Sequence, residues 1–487
     1  MSRLARKPFA IMVLMFLLMS LAGFALGTKS GWEEPKTIIV PDQYPTINEA
    51  IAHARDGDTI YVKAGIYYEN VRVDKTLTLV GENVSTTIVD ANRTNTPILL
   101  NAPYSTVTGF TFRRSQLKDT MFEPIFGGPY GVLLFFGCNV TGNIITDNGI
   151  GIYSWYGHDN IVSGNNITSN SIGVGLDLDT QSTIQENSIS DNNVGISLSG
   201  STHNRLISNE MADNGIGVFV GLSSNNSLLR NKITHSEIGI EFWFSTTNNT
   251  VEENSIAENR YGIEVLEASG NCIYHNNFVN NTYSADVSSD SANTWDDGYP
   301  SGGNYWSDHN GIDADHDGIG DTPYIIDADN HDNYPLIAPF HGFDAGTWGG
   351  VSCDVDIISN STVSDFYFNP EEGPFLRFEV SGKNRTNGFC RVTIPKQLLS
   401  AEHGWVVLVN RRAVNYRLIL DESRAYIYFF YDHSTWTVEI WGTHAVPEFA
   451  LEPFLLLFMI VTALTAISLK RMKIAPFRTG ISNYQTG

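Results

Sequence analysis

Residues 143–152 read NIITDNGIGI, and the phrase returns as NNITSNSIGV at 165–174, NSISDNNVGI at 187–196, NEMADNGIGV at 209–218, NKITHSEIGI at 231–240 and NSIAENRYGI at 254–263. Asn143, Asn165, Asn187, Asn209, Asn231, Asn254 and Asn276 thus recur every 22 residues with a single step of 23. Gly151, Gly173, Gly195, Gly217, Gly239 and Gly262 keep the same interval. A period this constant means one structural coil per repeat, which is the signature of a solenoid.

The residue after each glycine is Ile152, Val174, Ile196, Val218, Ile240 or Ile263, every one β-branched, which favours strand over helix. Ile145, Ile167, Ile189, Met211, Ile233, Ile256 and Phe278 form a second apolar column, and Val162, Ile184, Leu206, Leu228, Val251 and Ile273 a third. Three inward columns imply three short strands per coil. Parallel strands stacked at ~4.8 Å turn each column into an apolar ladder that fills the bore of a cylinder. The asparagine columns are expected at the corners, where Asn tolerates the left-handed conformation and its amide can bond backbone or the next Asn along the stack. The reading is all-β: a single-stranded, right-handed parallel β-helix of 22-residue coils.

Two flanking stretches carry a family resemblance. TIIVPDQYPTINEAIAHARDGDTIYVKAGIYYENVRVDKTLTLVGE resembles the opening segment of extracellular right-handed β-helix proteins of the NosD type, named for a periplasmic copper-processing factor. NNFVNNT, WDDGYPSGGNYWSD and DADHDGIGDTPYIID resemble the segment that closes their helix. The resemblance covers roughly residues 37–340 and implies the pectate-lyase-like architecture. That wider class holds lyases, hydrolases, adhesins and maturation factors, so it implies no single activity.

The chain has 487 residues, 17% of them charged and 42% hydrophobic, which makes it globular but too long for one compact core. Its formal net charge of -23 repels nucleic acid and anionic polymers, leaving cations or neutral glycans as the better partners. Arg3, Arg6 and Lys7 precede an apolar run from Phe9 to Leu26 that ends in small residues, so 1–27 reads as a signal peptide. Near the other end, 450–469 is apolar and is followed by Lys470, Arg471 and Lys473. This reads as a transmembrane anchor with 470–487 as a cytoplasmic tail and the ectodomain outside. Pro447-Glu448-Phe449 resembles the recognition tripeptide of archaeal PEF-type sorting tails, which stop at the basic cluster where this chain continues to Gly487. Retention of the span and its removal both stay open.

Four cysteines are too few for a disulfide framework. Cys138 and Cys272 stand about 29 Å apart along the predicted axis and cannot pair. Cys353 and Cys390 share a later domain, and a bridge between them stays open. Sequons at Asn83, Asn92, Asn139, Asn166, Asn225, Asn248, Asn280, Asn360 and Asn384 allow glycosylation of an exported chain.

Thr46-Ile47-Asn48-Glu49 reads as a capping box opening a short amphipathic helix, placed to cover the open end of the bore. The insert from Arg113 to Pro129 reads as a loop leaving the cylinder. Two residues after the repeat glycines come Tyr153, Phe219, Glu241 and Glu264, and four after come Trp155, Asp177 and Trp243, which alternation places on one outer face. Flat rings beside hydroxyl acceptors suit sugars, so Tyr153, Trp155, Phe219, Trp243, Glu241 and Glu264 are the candidate carbohydrate contacts. The alternative is that these rings pack under loops or against the later domain.

Asp177 and Asp179 flank Leu178, which is expected to point inward, so their carboxyls should stand about 6.5 to 7 Å apart at the base of the side chains, near the range of inverting glycosidases. They form the candidate catalytic pair of a polysaccharide hydrolase; solvated surface carboxylates are the plainer reading. A β-elimination lyase wants an Arg or Lys base, and the strands after the repeat glycines carry none.

Asp313, Asp315, Asp317, Gly318, Ile319 and Asp321 match positions 1, 3, 5, 6, 7 and 9 of a calcium loop, with Ile319 contributing its carbonyl. Tyr324 stands at position 12 where Glu is usual, so a weak structural calcium site is expected unless Asp327, Asp329 or Asp332 folds back. His309, His316 and His331 lie near this loop. Copper is not supported: six of the eight methionines lie in the terminal segments, leaving Met121 and Met211, so no soft-ligand box exists.

From 345 to 445 short aromatic and β-branched runs, Phe375–Val380, Trp405–Val409, Tyr416–Leu420, Tyr426–Tyr431 and Trp436–Trp441, predict a β-sandwich stalk of about seven strands. The sequence therefore predicts a cell-surface, membrane-anchored β-helix protein over 37–340 that binds carbohydrate or a surface partner. A polysaccharide-cleaving enzyme and a purely structural envelope glycoprotein are the alternatives.

Overall fold

The computed structural model describes residues 34–115, 130–348 and 350–445. The chain divides after Asn204 into two compact units. About eleven coils of a parallel β-solenoid of the right-handed type are shared between them, and the second unit also holds a β-sandwich.

In the first unit each coil gives one short strand to each of three parallel sheets. Val140 pairs with Val162 and Val162 with Ile184, so like stacks on like from coil to coil. The columns read from the sequence are the bore: Ile145, Ile167, Ile189, Ile152, Val174 and Ile196 are fully buried. Leu176 and Leu198, two residues beyond the post-glycine position, form a further buried column. The repeat glycines are required by close approach rather than by an unusual backbone angle. A Cβ on Gly151 would stand 2.5 Å from the carbonyl oxygen of Gly173 in the next coil.

The asparagines differ from expectation in one respect. Asn143 and Asn165 do not take the left-handed conformation; the residues before them, Gly142 and Gly164, do, with φ of 61° and 62°. The physical reason is that the Asn side chain must point inward. The Asn165 amide nitrogen donates to the Val140 carbonyl at 2.8 Å, and its oxygen accepts from the Asn143 backbone N–H at 3.0 Å. The corner kink falls on the preceding residue, here a glycine, which takes the left-handed angle without strain.

A short helix, Ile47–His53, buries Ile47, Ala50 and Ile51. The Thr46 hydroxyl accepts from the Glu49 N–H at 3.1 Å. The next orphan donors are satisfied by Glu69, which accepts from the N–H groups of Ile47 and Asn48 at 2.9 and 3.0 Å.

In the second unit the coils also give short strands to three parallel sheets, from Arg205–Ile207 to Tyr305–Trp306. The bore there ends on stacked rings: Phe278 on Trp306 at 4.4 Å and Trp306 on Tyr324 at 4.2 Å. Asp332 takes the Trp306 indole N–H at 2.8 Å, and burial pushes its carboxyl up to about 7.

The sandwich consists of two five-stranded antiparallel sheets rather than seven strands in all. One sheet holds Phe340–Trp348, Val351–Ser359, Asn387–Pro395, Arg424–Asp432 and Tyr416–Leu420. Its first strand spans the boundary placed at 345. Val355 and Ile357 from this sheet meet Leu376, Phe378 and Val380 from the other in one core. All four cysteines are free thiols, so Cys353 and Cys390 are not bridged. Arg391 is buried at the junction of coils and sandwich, 4.6 Å over the Tyr426 ring, and donates to the carbonyls of Pro300 and Ser301.

Among the described residues no helix is long and apolar enough to cross a membrane. The signal peptide at 1–27, the anchor at 450–469, the tail at 470–487 and residues 116–129 of the insert lie outside the described residues.

Candidate functional site

In the first unit the candidate residues are used by one another. Tyr153 stacks on Tyr130 at 4.5 Å with planes 7° apart, and its phenol donates to Asp177 at 3.1 Å. Burial and the Asp177 charge push that phenol up. Trp155 meets the Tyr156 ring edge-on at 4.6 Å.

The pair Asp177 and Asp179 is not a pair. Leu178 was expected inward, but it takes φ of 54° and is 43% exposed. One left-handed residue resets the alternation, so Asp179 turns into the coil, where it is buried against the Ser154 hydroxyl. Burial raises its carboxyl, and its Oδ1 has no hydrogen-bond partner among the described residues. Asp177 and Asp179 do not share an outer face on which a glycosidic bond could lie between them.

The second unit presents an open face. Strands Ile216–Gly221, Ile238–Trp243, Tyr261–Leu266 and Tyr283–Val287 lie side by side. Register stacks Phe219 on Glu241, Glu241 on Glu264 and Glu264 on Asp286. Trp243 is 45% exposed, 6.3 Å from Phe219 and 5.8 Å from Phe244 between ring centroids. Gly221 makes the shelf possible: a Cβ there would meet the Phe219 ring at 2.9 Å and the Trp243 ring at 3.6 Å. Burial and the neighbouring Glu264 raise the Glu241 carboxyl, and burial and Asp286 raise that of Glu264.

The acidic loop closes on three carboxylates. Oxygens of Asp313, Asp315 and Asp317 lie within 4.8 Å of one another. Asp313 also accepts from the N–H groups of Asp317 and Gly318 at 2.9 and 3.0 Å, and Arg417 donates to Asp315 at 3.2 Å. Asp321 is turned to the Ala314 N–H at 2.7 Å, and the Ile319 side chain is buried. Two of the three fold-back carboxylates are engaged elsewhere: Asp327 accepts from the Asp329 and Asn330 N–H groups, and Asp332 from Trp306. The histidines stand apart from the triad. His316 meets the Phe430 ring edge-on at 5.1 Å, and His309 that of Tyr324 at 5.6 Å.

Sequence reasoning missed a polar cleft of about 550 Å³ in the second unit, where Glu252, Tyr274 and Asp297 of the coils face Asp354, Asp356 and Arg424 of the sandwich. Arg230 bridges Glu253 at 2.6 Å and Asp354 at 3.2 Å. Burial, then the charge of Glu253, pushes the carboxyls of both Glu252 and Asp356 up to about 7. The signal was present in the alternation of Ser352, Asp354 and Asp356 with Cys353, Val355 and Ile357, which marks a strand with one polar face.

Comparison with known proteins adds the following. The family model described as periplasmic copper-binding protein (NosD) matches residues 51–231 and 211–311, together just over half of the chain. A cell surface glycoprotein of Methanothermus fervidus is 27% identical over 155 residues, which are 31% of this chain. The match spans only 23% of that relative's length. Among solved structures, the Dettilon tailspike protein aligns with a TM-score of 0.43 at 12% identity, over 83% of this chain and 94% of its own. XylC in complex with xylose aligns with a TM-score of 0.40 at 11% identity, over 72% and 89%.

Proposed function

The chain belongs to the NosD family of periplasmic copper-binding proteins, and from that premise we propose that it is an exported β-helix protein of the cell surface that binds glycan without cleaving it. The observation that carries this reading is the shelf of Phe219, Trp243 and Phe244 over Gly221, with Glu241 and Glu264 alongside. Exposed flat rings cover the apolar faces of sugars, and carboxylates accept their hydroxyls. Similarity to a cell surface glycoprotein supports the location.

The family's copper does not fit the residues present. Met211 is sealed in the bore, Cys138 is buried with its thiol pushed up, and His275 is buried away from solvent. Among the described residues, the one cluster able to hold a metal ion is the set of hard aspartate oxygens, which suits calcium and not copper. We infer that Asp313, Asp315 and Asp317 hold a structural calcium ion.

Affinity electrophoresis of the full chain through gels containing neutral polysaccharides tests the binding. Retardation should be lost in Trp243→Ala and Phe219→Ala and kept in Trp155→Ala. Equal retardation of all three variants would refute the site, and new reducing ends in the gel would refute binding without cleavage.

A further inference from the structure

Glu241, Glu264 and Asp286 occupy one register position on three neighbouring strands, so their carboxylates rise at the ~4.8 Å strand spacing beside the aromatic shelf. No ion pair engages any of the three among the described residues. The nearest basic residue in sequence, Arg260, is held by Glu237 at 2.5 Å and lies 5.1 Å over the Tyr261 ring. Among the described residues the column is therefore a run of like charge with no compensating cation; burial first, and then this crowding, raises the carboxyls of Glu241 and Glu264.

A ligand seated on Trp243 and Phe219 has to lie along this column, because Phe219 heads it and Trp243 is two residues from Glu241 on the same strand. A hydroxyl or an amine there donates to the carboxylates. A uronate or sulfate would add a further negative charge a few ångströms from three others, where water is partly displaced and screening is weakest. Building on the glycan-binding reading of this face, we infer that Glu241, Glu264 and Asp286 determine specificity. They admit glycans bearing only hydroxyls or amines and reject those bearing acid groups. This local rejection adds to the general repulsion by the chain's formal net charge of -23, and the two are told apart by removing charge at the column or elsewhere.

The test is affinity electrophoresis of the full chain on mannan, xylan, chitosan and alginate. Three proteins are compared: the unaltered chain, the triple variant Glu241→Gln, Glu264→Gln, Asp286→Asn, and a control triple variant Glu371→Gln, Glu402→Gln, Glu422→Gln. The control removes the same charge from exposed positions of the sandwich. Matching circular dichroism and thermal unfolding show that each is folded. The unaltered chain should bind alginate at least tenfold more weakly than its best neutral or amino glycan. The first triple variant should close that gap to within threefold, and the control should leave it unchanged.

Two results overturn the inference while leaving glycan binding intact: alginate held as tightly as mannan by the unaltered chain, or an equal gain in both triple variants. Retention of none of the four polysaccharides by the unaltered chain instead removes the glycan-binding reading, and the inference with it.

Discussion

Asn254 shows how the coil corners are held, and its replacement by alanine is a quantitative test of them. The residue is fully buried. Its side-chain oxygen accepts from the Asn231 backbone N–H at 2.8 Å and from the Asn231 amide at 3.0 Å. Its amide donates to the carbonyls of Leu228 at 2.8 Å and Glu252 at 3.0 Å, and to the Asn276 oxygen at 2.9 Å. Alanine at this position orphans one N–H and two carbonyl groups. Each buried orphan costs about 1 to 3 kcal/mol, and the Glu252 carbonyl, at the rim, falls at the low end, so Asn254→Ala should lose about 4 kcal/mol. Equilibrium urea unfolding of the full chain, followed together with amide exchange in the two flanking coils, measures this. The exchange readout matters because a stacked array transmits the loss chiefly to its nearest neighbours. A loss below about 1 kcal/mol, with unchanged exchange at Asn231, would mean that water replaces the side chain and that the ladder does not hold the corner.

Gly239→Ala places a Cβ 2.5 Å from the Gly262 carbonyl oxygen and 3.0 Å from Ile256, and should cost about 3 kcal/mol by urea unfolding. Gly164→Ala, in open space at φ of 62°, should cost only about 1 to 2 kcal/mol, so equal losses would refute the close-approach account. The Glu252 carboxyl titrates near 7 in the fold against an ordinary 4.5, so the folded state binds its proton more tightly than the unfolded chain. Its contribution is complete at acid pH and is lost as pH rises from 4.5 through about 7, so stability should fall between those values and Glu252→Gln should flatten the fall. A slope unchanged by the substitution would show that other groups cause it. Calorimetric titration with calcium should give a dissociation constant of about 10⁻⁴ to 10⁻³ M that Asp315→Asn weakens further, and a heat unaffected by that change would move the ion elsewhere.

The bore was legible because its residues are repeated: a column such as Ile145, Ile167 and Ile189 states its burial in the sequence itself. Leu178 was misread for the opposite reason. Strict alternation holds only inside a strand, and a single left-handed residue at the strand's end turned Asp179 inward and Leu178 out. The sandwich strands Val351–Ser359 and Asn387–Pro395 escaped notice because Asp354, Asp356 and Arg391 interrupt their apolar runs. Those charged residues make sense only against the coils, Arg391 against the carbonyls of Pro300 and Ser301, and Asp354 against Arg230. The cleft around Glu252 and Asp356 was illegible because its walls lie about a hundred residues apart in the chain and carry no shared period. The aromatic face was legible as a list of residues, but the sequence did not reveal that Tyr153 and Asp177 satisfy each other while Trp243 stays open.

Hydroxyl-radical footprinting of the full chain, with and without a retained neutral polysaccharide, tests the assignment of the face most directly. The account predicts that oxidation of Trp243, Phe244 and Phe219 drops on binding, while that of Phe430, an exposed ring on the sandwich, does not change. Protection of Phe430 with Trp243 still fully oxidised would contradict it and move glycan recognition from the coils to the sandwich.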